Sequence, residues 1–417
     1  MEKVLLIKVF SRESIKEVEN DIEEMKGLVD TAGGVVIDVI KQKRYEISPA
    51  YYIGKGKAEE IKEKYIDNID LVIFDNELKP VQVRNLEDIF GKRVIDRTQL
   101  ILDIFSQRAH TKEGKLQVEY AQLLYLLPRL SGRGTEFMQQ TGGIGTRGPG
   151  ETKLEVDKRK IKIRLQRIKK ELSNVQQIRE QQRERRKSIP VPLVAIVGYT
   201  NAGKTMFLNR MTNAGKLSED KLFATLDPKI KRFTLPDGYT ILFSDTVGFI
   251  KRLPTQLIAA FRATLEEVKE ADIILHIIDI SEDGWQERKD VVYEVLKEID
   301  SYNGKIIIEA YNKIDKLSAD KREFIINKNN GIFISAKTGE GIDKLIDEIQ
   351  KNVEKYFVQK NIFIPLNKSG LIDIFYKEGV VFERQDREDG IYLKIGCLKK
   401  TLEKFKKLKL ESEIRNG

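Results

Sequence analysis

The stretch Gly198-Tyr-Thr-Asn-Ala-Gly-Lys204-Thr205 decides the fold of this chain of 417 residues. It matches the pattern GxxxxGK[ST] and directly follows an apolar, strand-like run at residues 191–197. Glycines in such a loop let the main chain wrap closely round phosphates, so that its N–H groups point at them. A lysine at this position bridges the β- and γ-phosphates, and the hydroxyl after it ligates Mg²⁺. The predicted phosphate-binding residues are Gly198, Tyr199, Thr200, Asn201, Ala202, Gly203, Lys204 and Thr205.

A second motif, Asp245-Thr-Val-Gly248, follows the apolar run at residues 240–244. An acid at the end of a strand beside the phosphate loop can reach Mg²⁺ through its water shell, and the amide of a nearby glycine can contact the γ-phosphate. The pattern DxxG is weak alone, but its strand context and its distance from the phosphate loop strengthen it. The predicted residues of this segment, switch II, are Asp245, Thr246, Val247 and Gly248.

A third motif, Asn312-Lys-Ile-Asp315, follows the run at residues 305–310 and indicates which base is bound. One carboxylate that accepts from N1–H and the 2-amino group reads guanine, because adenine lacks that donor pair. Each such charge-assisted hydrogen bond is worth ~1.5–3 kcal/mol. The fourth motif, Ser335-Ala-Lys337, follows the next strand, and the four in this order favour GTP over ATP. The predicted base-binding residues are Asn312, Lys313, Asp315, Ser335, Ala336 and Lys337.

Switch I is predicted at Phe223-Ala-Thr-Leu-Asp-Pro228, about twenty residues after the phosphate loop. A threonine there closes on Mg²⁺ and the γ-phosphate, although a structural turn is an alternative. We therefore expect Phe223, Ala224 and Thr225 to contact the nucleotide. The predicted catalytic residues are Lys204, Thr225 and Gly248, and the predicted metal ligands are Thr205 and Thr225.

Phe249 follows Gly248 at the position where Ras-like enzymes carry a water-orienting glutamine. A phenyl ring cannot orient water by hydrogen bonding, so we expect slow intrinsic hydrolysis that depends on an external factor. Asn201 could help to hold a K⁺ beside the phosphates, where its charge would assist the reaction. It could equally be an asparagine that shapes the loop, and both interpretations stay open.

Alternating strand-like and helix-like segments predict four units. We expect a small α/β domain at residues 1–108, and an antiparallel helical hairpin at 109–189 with a glycine-rich tip at 131–150. The GTP-binding domain follows at 190–356, and a small α+β domain at 357–417. Apolar runs predict the strands of the GTP-binding domain at residues 191–197, 240–244, 273–280, 305–310 and 331–334. The predicted fold class is α/β, with a doubly wound, mostly parallel sheet in a P-loop GTPase domain.

The second helix of the predicted hairpin is strongly basic. After Asp157 and up to Lys187 it carries thirteen Lys and Arg residues against three Glu, unlike the alternating pattern of a self-bridging helix. Such a face would bind RNA phosphates in a salt-dependent manner, although a plain solvated face is the alternative. The candidate RNA-contacting residues are Arg133, Arg147, Lys153, Arg159 and Arg164.

Composition limits the other classes of function. The chain has 74 Lys+Arg against 65 Asp+Glu, a formal charge of +9, which favours an anionic partner. A single cysteine, Cys397, excludes a disulfide framework, and His110 and His276 alone leave little for an imidazole metal centre. No stretch approaches the ~20 apolar residues that cross a bilayer. We expect a cytoplasmic monomer.

Further motifs resemble the HflX family of translational GTPases. They are Tyr52-Ile-Gly-Lys-Gly-Lys57, Asp96-Arg-Thr-Gln-Leu-Ile-Leu-Asp-Ile-Phe-Ser-Gln-Arg108 and Gly142-Gly-Ile-Gly-Thr-Arg-Gly-Pro-Gly-Glu-Thr-Lys-Leu-Glu155. The resemblance runs from about residue 4 to residue 356, and the last 60 or so residues match loosely. It implies an N-terminal HflX domain, the hairpin, an Era-like G domain and a small C-terminal domain. Lys229-Ile230 depart from the family, which often has Thr-Thr there.

The resemblance also implies a function. It implies binding to the rRNA of the large ribosomal subunit and the dissociation or rescue of stalled or stress-arrested ribosomes, with GTP favouring binding and hydrolysis favouring release. Two alternatives stay open, an assembly or quality-control GTPase of the large subunit and a regulatory switch that binds a protein effector. Some members of the family bind ATP through the N-terminal domain, but no residue here predicts this activity.

Overall fold

The computed structural model describes residues 1–130, 153–187, 191–212, 222–223, 229–252, 262–302, 304–398 and 401–402. Three sheets, of four, six and three strands, organise these residues. The predicted fold class is confirmed. The six-stranded sheet is mostly parallel and carries the phosphate loop. An α/β unit precedes this sheet in the chain, and a smaller unit follows it. The domain boundaries at residues 108, 189 and 356 stay predictions.

The N-terminal unit is built on a parallel sheet with the strand order β2-β1-β3-β4. Residues 4–9 of β1 are buried, as is typical of a strand covered on both faces. The first helix begins with a capping box between Ser14 and Glu17 and ends at Gly33, whose φ of 89° favours glycine. The elements are β1 (Glu2–Phe10), α1 (Ile15–Ala32), β2 (Gly34–Lys43), α2 (Lys55–Tyr65), β3 (Leu71–Phe74), α3 (Pro80–Phe90), β4 (Arg93–Asp96) and α4 (Arg97–Arg108).

Two helices, α5 (Lys112–Arg129) and α6 (Lys153–Lys187), follow and pack against each other. The hydroxyl of Thr111 caps α5 by accepting from the Gly114 amide at 2.9 Å. Ile168 of α6 is fully buried. Arg164 of α6 donates to both carboxylate oxygens of Glu119 on α5, at 2.6 and 2.7 Å. The predicted tip at residues 131–150 lies outside the described residues.

The six-stranded sheet has the order β10-β9-β8-β5-β7-β6, and its strands are parallel except β6, which runs antiparallel to β7. β5 lies between β8 and β7, so the order of the strands in the sheet reverses at β5. Open α/β sheets bind ligands at such a position. β6 is an addition to the five predicted strands. The elements are β5 (Leu193–Val197), α7 (Lys204–Met211), β6 (Lys229–Thr234), β7 (Thr240–Asp245), α8 (Arg262–Glu270), β8 (Ile273–Asp279), α9 (Trp285–Glu298), β9 (Ile306–Asn312), α10 (Ala319–Lys328), β10 (Ile332–Phe333) and α11 (Ile342–Glu354).

The C-terminal unit is an antiparallel sheet in the order β11-β13-β12, made of β11 (Phe357–Pro365), β12 (Val380–Arg387) and β13 (Gly390–Leu398), with α12 (Ile372–Glu378). It packs on the GTP-binding unit through Tyr239, whose ring centroid lies 4.1 Å from that of Phe357 and 5.6 Å from that of Phe382. A Cβ on Gly396 would lie 2.6 Å from the Tyr239 hydroxyl, so this contact requires a glycine. Within the described ranges, no helix is both long and apolar enough to cross a membrane.

We expect Gly396→Ala to destabilise the protein by about 1–3 kcal/mol, because the added methyl group forces Tyr239 and Phe382 away from the sheet. Thermal unfolding followed by circular dichroism measures the effect. Gly370→Ala is the matched control, since a Cβ at Gly370 meets nothing within 4 Å. Equal melting temperatures for the two variants would contradict this account of the interface.

Candidate nucleotide-binding site

The loop between β5 and α7 has the close packing that the glycine pattern predicts. A Cβ on Gly198 would lie 2.3 Å from the carbonyl oxygen of Ile277, and a Cβ on Gly203 would lie 2.3 Å from Nδ2 of Asn312. Gly203 also has a φ of 95°, in the left-handed region. Asn201 adopts a φ of 59°, which asparagine tolerates better than most residues. Both glycines are therefore required by geometry.

Lys204 is the first residue of α7, and its ammonium group turns back over the loop. Nζ donates to the carbonyl oxygens of Gly198 at 3.1 Å and Tyr199 at 2.8 Å. Burial lowers the pKa of Lys204 to about 8, and the negative charge of Asp245 opposes this shift. An anionic phosphate beside Nζ would favour the charged form further. The Lys204 ammonium group therefore lies at the mouth of the loop, where it can bind an anion.

The next residue meets the acid of the second motif. Thr205 Oγ1 donates to Asp245 Oδ2 at 3.1 Å, so the predicted Mg²⁺ ligand Thr205 lies beside the acid that is predicted to reach the ion through its water shell. Thr246, the residue after the acid, donates its hydroxyl to the carbonyl oxygen of Ile196 on β5 at 2.7 Å. This bond fixes the start of switch II to the central strand.

Switch II lies directly on the phosphate loop. The amide of Phe249 donates to the Gly198 carbonyl at 3.1 Å, and the amide of Thr200 donates to the Phe249 carbonyl at 2.8 Å. A Cβ on Gly248 would lie 2.9 Å from Thr200 Cα and 3.0 Å from Lys204 Nζ. The ring of Phe249 is buried, with 3% of the residue exposed. Phe249 therefore has no hydrogen-bonding group that could orient a water molecule.

The base-binding motifs come together on the other side of the loop. Asn312 donates from Nδ2 to the Ala202 carbonyl at 2.8 Å, and its Oδ1 accepts from the Ala336 amide at 2.9 Å. Asp315 accepts from the Ser335 hydroxyl at 2.6 Å. Asp315 itself is exposed, so the carboxylate can still meet a ligand.

Two residues that the motifs do not include support this end of the site. Asp279, the last residue of β8, pairs with Lys313 Nζ at 2.7 Å and holds the lysine of the third motif. Arg210 of α7 donates to the carbonyl oxygen of Ala336 at 2.7 Å and also to that of Lys337. An acid that ends a buried strand beside the phosphate loop is a signal that could have identified Asp279. Arg210 carries no such signal.

The structure places Phe223 against the N-terminal unit. Its ring centroid lies 4.5 Å from that of Phe105 on α4, and the amide of the preceding Leu222 donates to Thr31 Oγ1 at 3.3 Å. The ring is buried in this contact. Ala224 and Thr225 lie outside the described residues, so their assignment to switch I stays a prediction.

The candidate RNA-contacting residues are only partly described. Arg133 and Arg147 lie outside the described residues, and so does the side chain of Lys153 at the start of α6. Arg159 is exposed on α6. Arg164 is hydrogen-bonded through two nitrogen atoms to Glu119, so part of its hydrogen-bonding capacity serves the pairing of α5 with α6.

This combination defines a P-loop GTPase: a phosphate loop on the central strand, a hydroxyl–carboxylate pair beside it, and an Asn–Asp–Ser base-binding group. Four stretches match known families. They are described as GTP-binding GTPase N-terminal (residues 19–106), GTP-binding GTPase Middle Region (108–186), 50S ribosome-binding GTPase (193–313) and HflX C-terminal domain (322–405). The chain belongs to the HflX family of GTPases, and it binds and hydrolyses GTP.

Relatives that match this chain over most of their length support the same family assignment. GTPase HflX of Caldanaerobacter subterraneus is 46% identical over 396 residues, covering 94% of this chain and 90% of that protein. GTPase HflX of Lacrimispora saccharolytica is 45% identical and covers 94% and 92%. GTPase HflX of Escherichia coli is 42% identical and covers 93% and 92%. The predicted family and the predicted enzyme class are confirmed.

We expect Asp315→Asn to weaken GTP binding and to shift the preference towards xanthine nucleotides, because an amide cannot accept from both N1–H and the 2-amino group. The loss for guanine is on the order of tenfold or more. Competition between GTP and XTP for a fluorescent GDP analogue measures the shift. Asp320→Asn, at an exposed position of α10, is the control. Unchanged guanine selectivity in Asp315→Asn would contradict the assignment of the base-reading carboxylate.

Proposed function

We propose that this GTPase binds the large ribosomal subunit in its GTP-bound form, dissociates or rescues stalled ribosomes, and leaves the subunit after hydrolysis. The observation that supports the proposal best is the basic helix α6, which packs on α5 through Ile168 and the Arg164–Glu119 pair. With one face engaged by α5, the remaining faces still carry exposed cations. They are Arg159, Lys160, Lys162, Arg167, Lys169 and Lys170. A helix held this way can contact the phosphate backbone of structured RNA.

The site fits a Mg²⁺ ion. Thr205 and Asp245 supply oxygen atoms, the donors that Mg²⁺ prefers, and they already lie within hydrogen-bonding distance of each other. We assign the Thr205 hydroxyl as a direct ligand and Asp245 as a residue that binds the water shell of the ion, with Thr225 as the predicted switch-I ligand. When bound, Mg²⁺ neutralises charge on the β- and γ-phosphate oxygens.

Different residues of the site have different roles in hydrolysis. The amides of residues 198–205 and the Lys204 ammonium group bind the phosphates and stabilise the charge that develops on them. We propose that the Gly248 amide contacts the γ-phosphate close to Lys204, since a Cβ on Gly248 would lie 3.0 Å from Lys204 Nζ. The side chain at position 249 cannot orient the attacking water, so the intrinsic rate of hydrolysis is low. Binding to the ribosome orients this water instead. A K⁺ ion at Asn201 is a further proposal for the missing charge.

Dissociation can be tested with intact ribosomes and a non-hydrolysable GTP analogue. We expect the full chain to raise the amount of free subunits on a sucrose gradient several-fold, while the same chain with GDP does not. Lys204→Ala, which loses the phosphate-binding ammonium group, is the control protein. Binding to free large subunits without any rise in free subunits would contradict dissociation and favour the assembly or quality-control role.

The role of α6 can be tested separately. We expect replacement of Lys162, Arg167, Lys169 and Lys170 by alanine to weaken co-sedimentation with large subunits and to reduce its salt dependence, by about 0.7–0.9 in the log–log slope for each RNA phosphate that is no longer neutralised. GTP hydrolysis without ribosomes should not change. Lys344→Ala/Lys351→Ala, at exposed positions of α11, is the matched control. Equal binding by the two variants would favour a regulatory switch with a protein effector.

A further inference from the structure

A threonine of the phosphate loop lies beside the gap between Lys204 and Gly248, where the γ-phosphate is proposed to bind. A Cβ on Gly248 marks this gap, and it would lie 3.0 Å from Lys204 Nζ. The same point lies 2.9 Å from both Cα and Cγ2 of Thr200. The Thr200 amide donates to the Phe249 carbonyl at 2.8 Å, which holds the residue against switch II. Thr200 therefore borders the gap from the side of the phosphate loop.

The hydroxyl of Thr200 is buried, and the protein does not use it. Thr200 is 6% exposed, and its Oγ1 has no hydrogen-bond partner among the residues that the structure describes. The other threonine hydroxyls next to the gap are engaged, because Thr205 donates to Asp245 and Thr246 donates to the Ile196 carbonyl. A buried hydroxyl without a partner is unfavourable, and a catalytic role or a bound water accounts for such groups.

The Thr200 side chain can bring its hydroxyl to the gap without any movement of the main chain. Cγ2 and Oγ1 are both attached to Cβ, and a step of about 120° in χ1 carries one into the staggered position of the other. Since Cγ2 already lies 2.9 Å from the point that marks the gap, Oγ1 reaches the same place in the alternative rotamer. A hydroxyl oxygen has two lone pairs, so it can accept a hydrogen bond from a water there.

Hydrolysis requires a water in line with the bond that breaks. The oxygen of this water forms a bond to the γ-phosphorus. The bond from that phosphorus to the bridging oxygen breaks, and its electron pair stays on the β-phosphate of GDP. The proton that the water loses ends on an oxygen of the released phosphate. Because no side chain has to take this proton as a base, a neutral group that orients the water is sufficient.

We infer that Thr200 is the catalytic residue that orients the attacking water in the free protein, the role that Phe249 cannot fill. Its hydroxyl accepts a hydrogen bond from the water beside Lys204 and Gly248. One hydroxyl constrains a water less than a glutamine side chain, which has an oxygen acceptor and two donors, so the expected intrinsic rate stays low. The inference rests on GTP hydrolysis and on the proposed position of the γ-phosphate, and it does not depend on the ribosomal role.

A structural role for the same hydroxyl is the competing explanation. Thr200 also borders a small polar cavity of about 10 Å³, and the lining includes His276, Asp279, Arg288 and Lys289. A cavity of this size holds one water. His276 is 1% exposed, and its Nδ1 likewise has no hydrogen-bond partner in the described part of the chain. A water shared by these two groups would stabilise the fold without taking part in hydrolysis.

The test compares Thr200→Val, which keeps the branched shape but lacks the hydroxyl, with Thr200→Ser, which keeps the hydroxyl. Single-turnover hydrolysis of GTP is measured with Mg²⁺, an excess of the full chain and no ribosomes. For Thr200→Val we expect the rate to fall roughly tenfold, because one hydrogen bond to the attacking water is lost. The dissociation constants of GDP and of a non-hydrolysable GTP analogue should stay within about twofold, and Thr200→Ser should restore most of the rate.

Thr212→Val is the matched control. It removes a threonine hydroxyl that donates to the Leu208 carbonyl at 2.9 Å, away from the phosphate loop, and it should leave the rate unchanged. An unchanged affinity of Thr200→Val for the GTP analogue shows that the nucleotide site is intact, so that a failed prediction concerns Thr200 alone.

The assignment is overturned if Thr200→Val hydrolyses GTP at the wild-type rate, or if Thr200→Ser is as slow as Thr200→Val. It is also overturned if the rate falls no more than the affinity for the GTP analogue. Melting temperatures followed by circular dichroism complete the comparison. A lower melting temperature of Thr200→Val at an unchanged rate would assign the hydroxyl to the cavity water and contradict the catalytic role. Should Thr200→Val fail to fold, Thr200→Ala carries the same comparison.

Discussion

The side-chain amide of Asn312 joins the two halves of the nucleotide site. It donates to the Ala202 carbonyl in the phosphate loop and accepts from the Ala336 amide in the loop that borders the base. Asn312 is 2% exposed, so neither bond competes with water, and removal of either one would leave a buried polar group without its partner. The close approach of this amide is also the reason that position 203 requires glycine. Asn312 therefore helps to fix the distance between the predicted phosphate-binding and base-binding groups, together with Arg210, which also bonds to the loop at Ala336.

The local parts of the site could be predicted from the sequence, because each part is a short motif at the end of an apolar strand. Asp245 and Asn312 end strands, Asp315 lies three residues after Asn312, and Lys204 and Thr205 begin the helix that follows the loop after β5. Parallel strands bring such ends to one edge of a sheet, so the order of the motifs was enough to expect a common pocket. β6 could not be predicted in the same way. Four of its six residues, Lys229–Thr234, are polar and most are exposed, and its pairing with β7 rather than its composition makes it a strand.

Contacts between distant units could not be predicted, because no local pattern encodes them. The phenol of Tyr199 and the carboxylate of Glu24 are separated by 175 positions, and Arg252 and Asp21 by 231. The sequence marks Tyr199 only as a variable position of the phosphate loop. The sequence shows that Phe249 cannot orient water, but it does not predict that Phe249 is buried in a hydrophobic core to which the N-terminal unit also contributes. The N-terminal unit therefore contacts both the phosphate loop and the segment that follows Gly248.

We propose that one pocket selects a guanine nucleotide through Asp315 and binds its phosphates through the loop to which Asn312 is hydrogen-bonded. Displacement of a fluorescent GDP analogue from the pure chain, in the presence of Mg²⁺, tests this claim directly. We expect unlabelled GDP and GTP to displace the analogue, and we expect ATP at the same concentrations not to displace it. Displacement by ATP as effective as by GTP, or no binding of the GDP analogue at all, would contradict it.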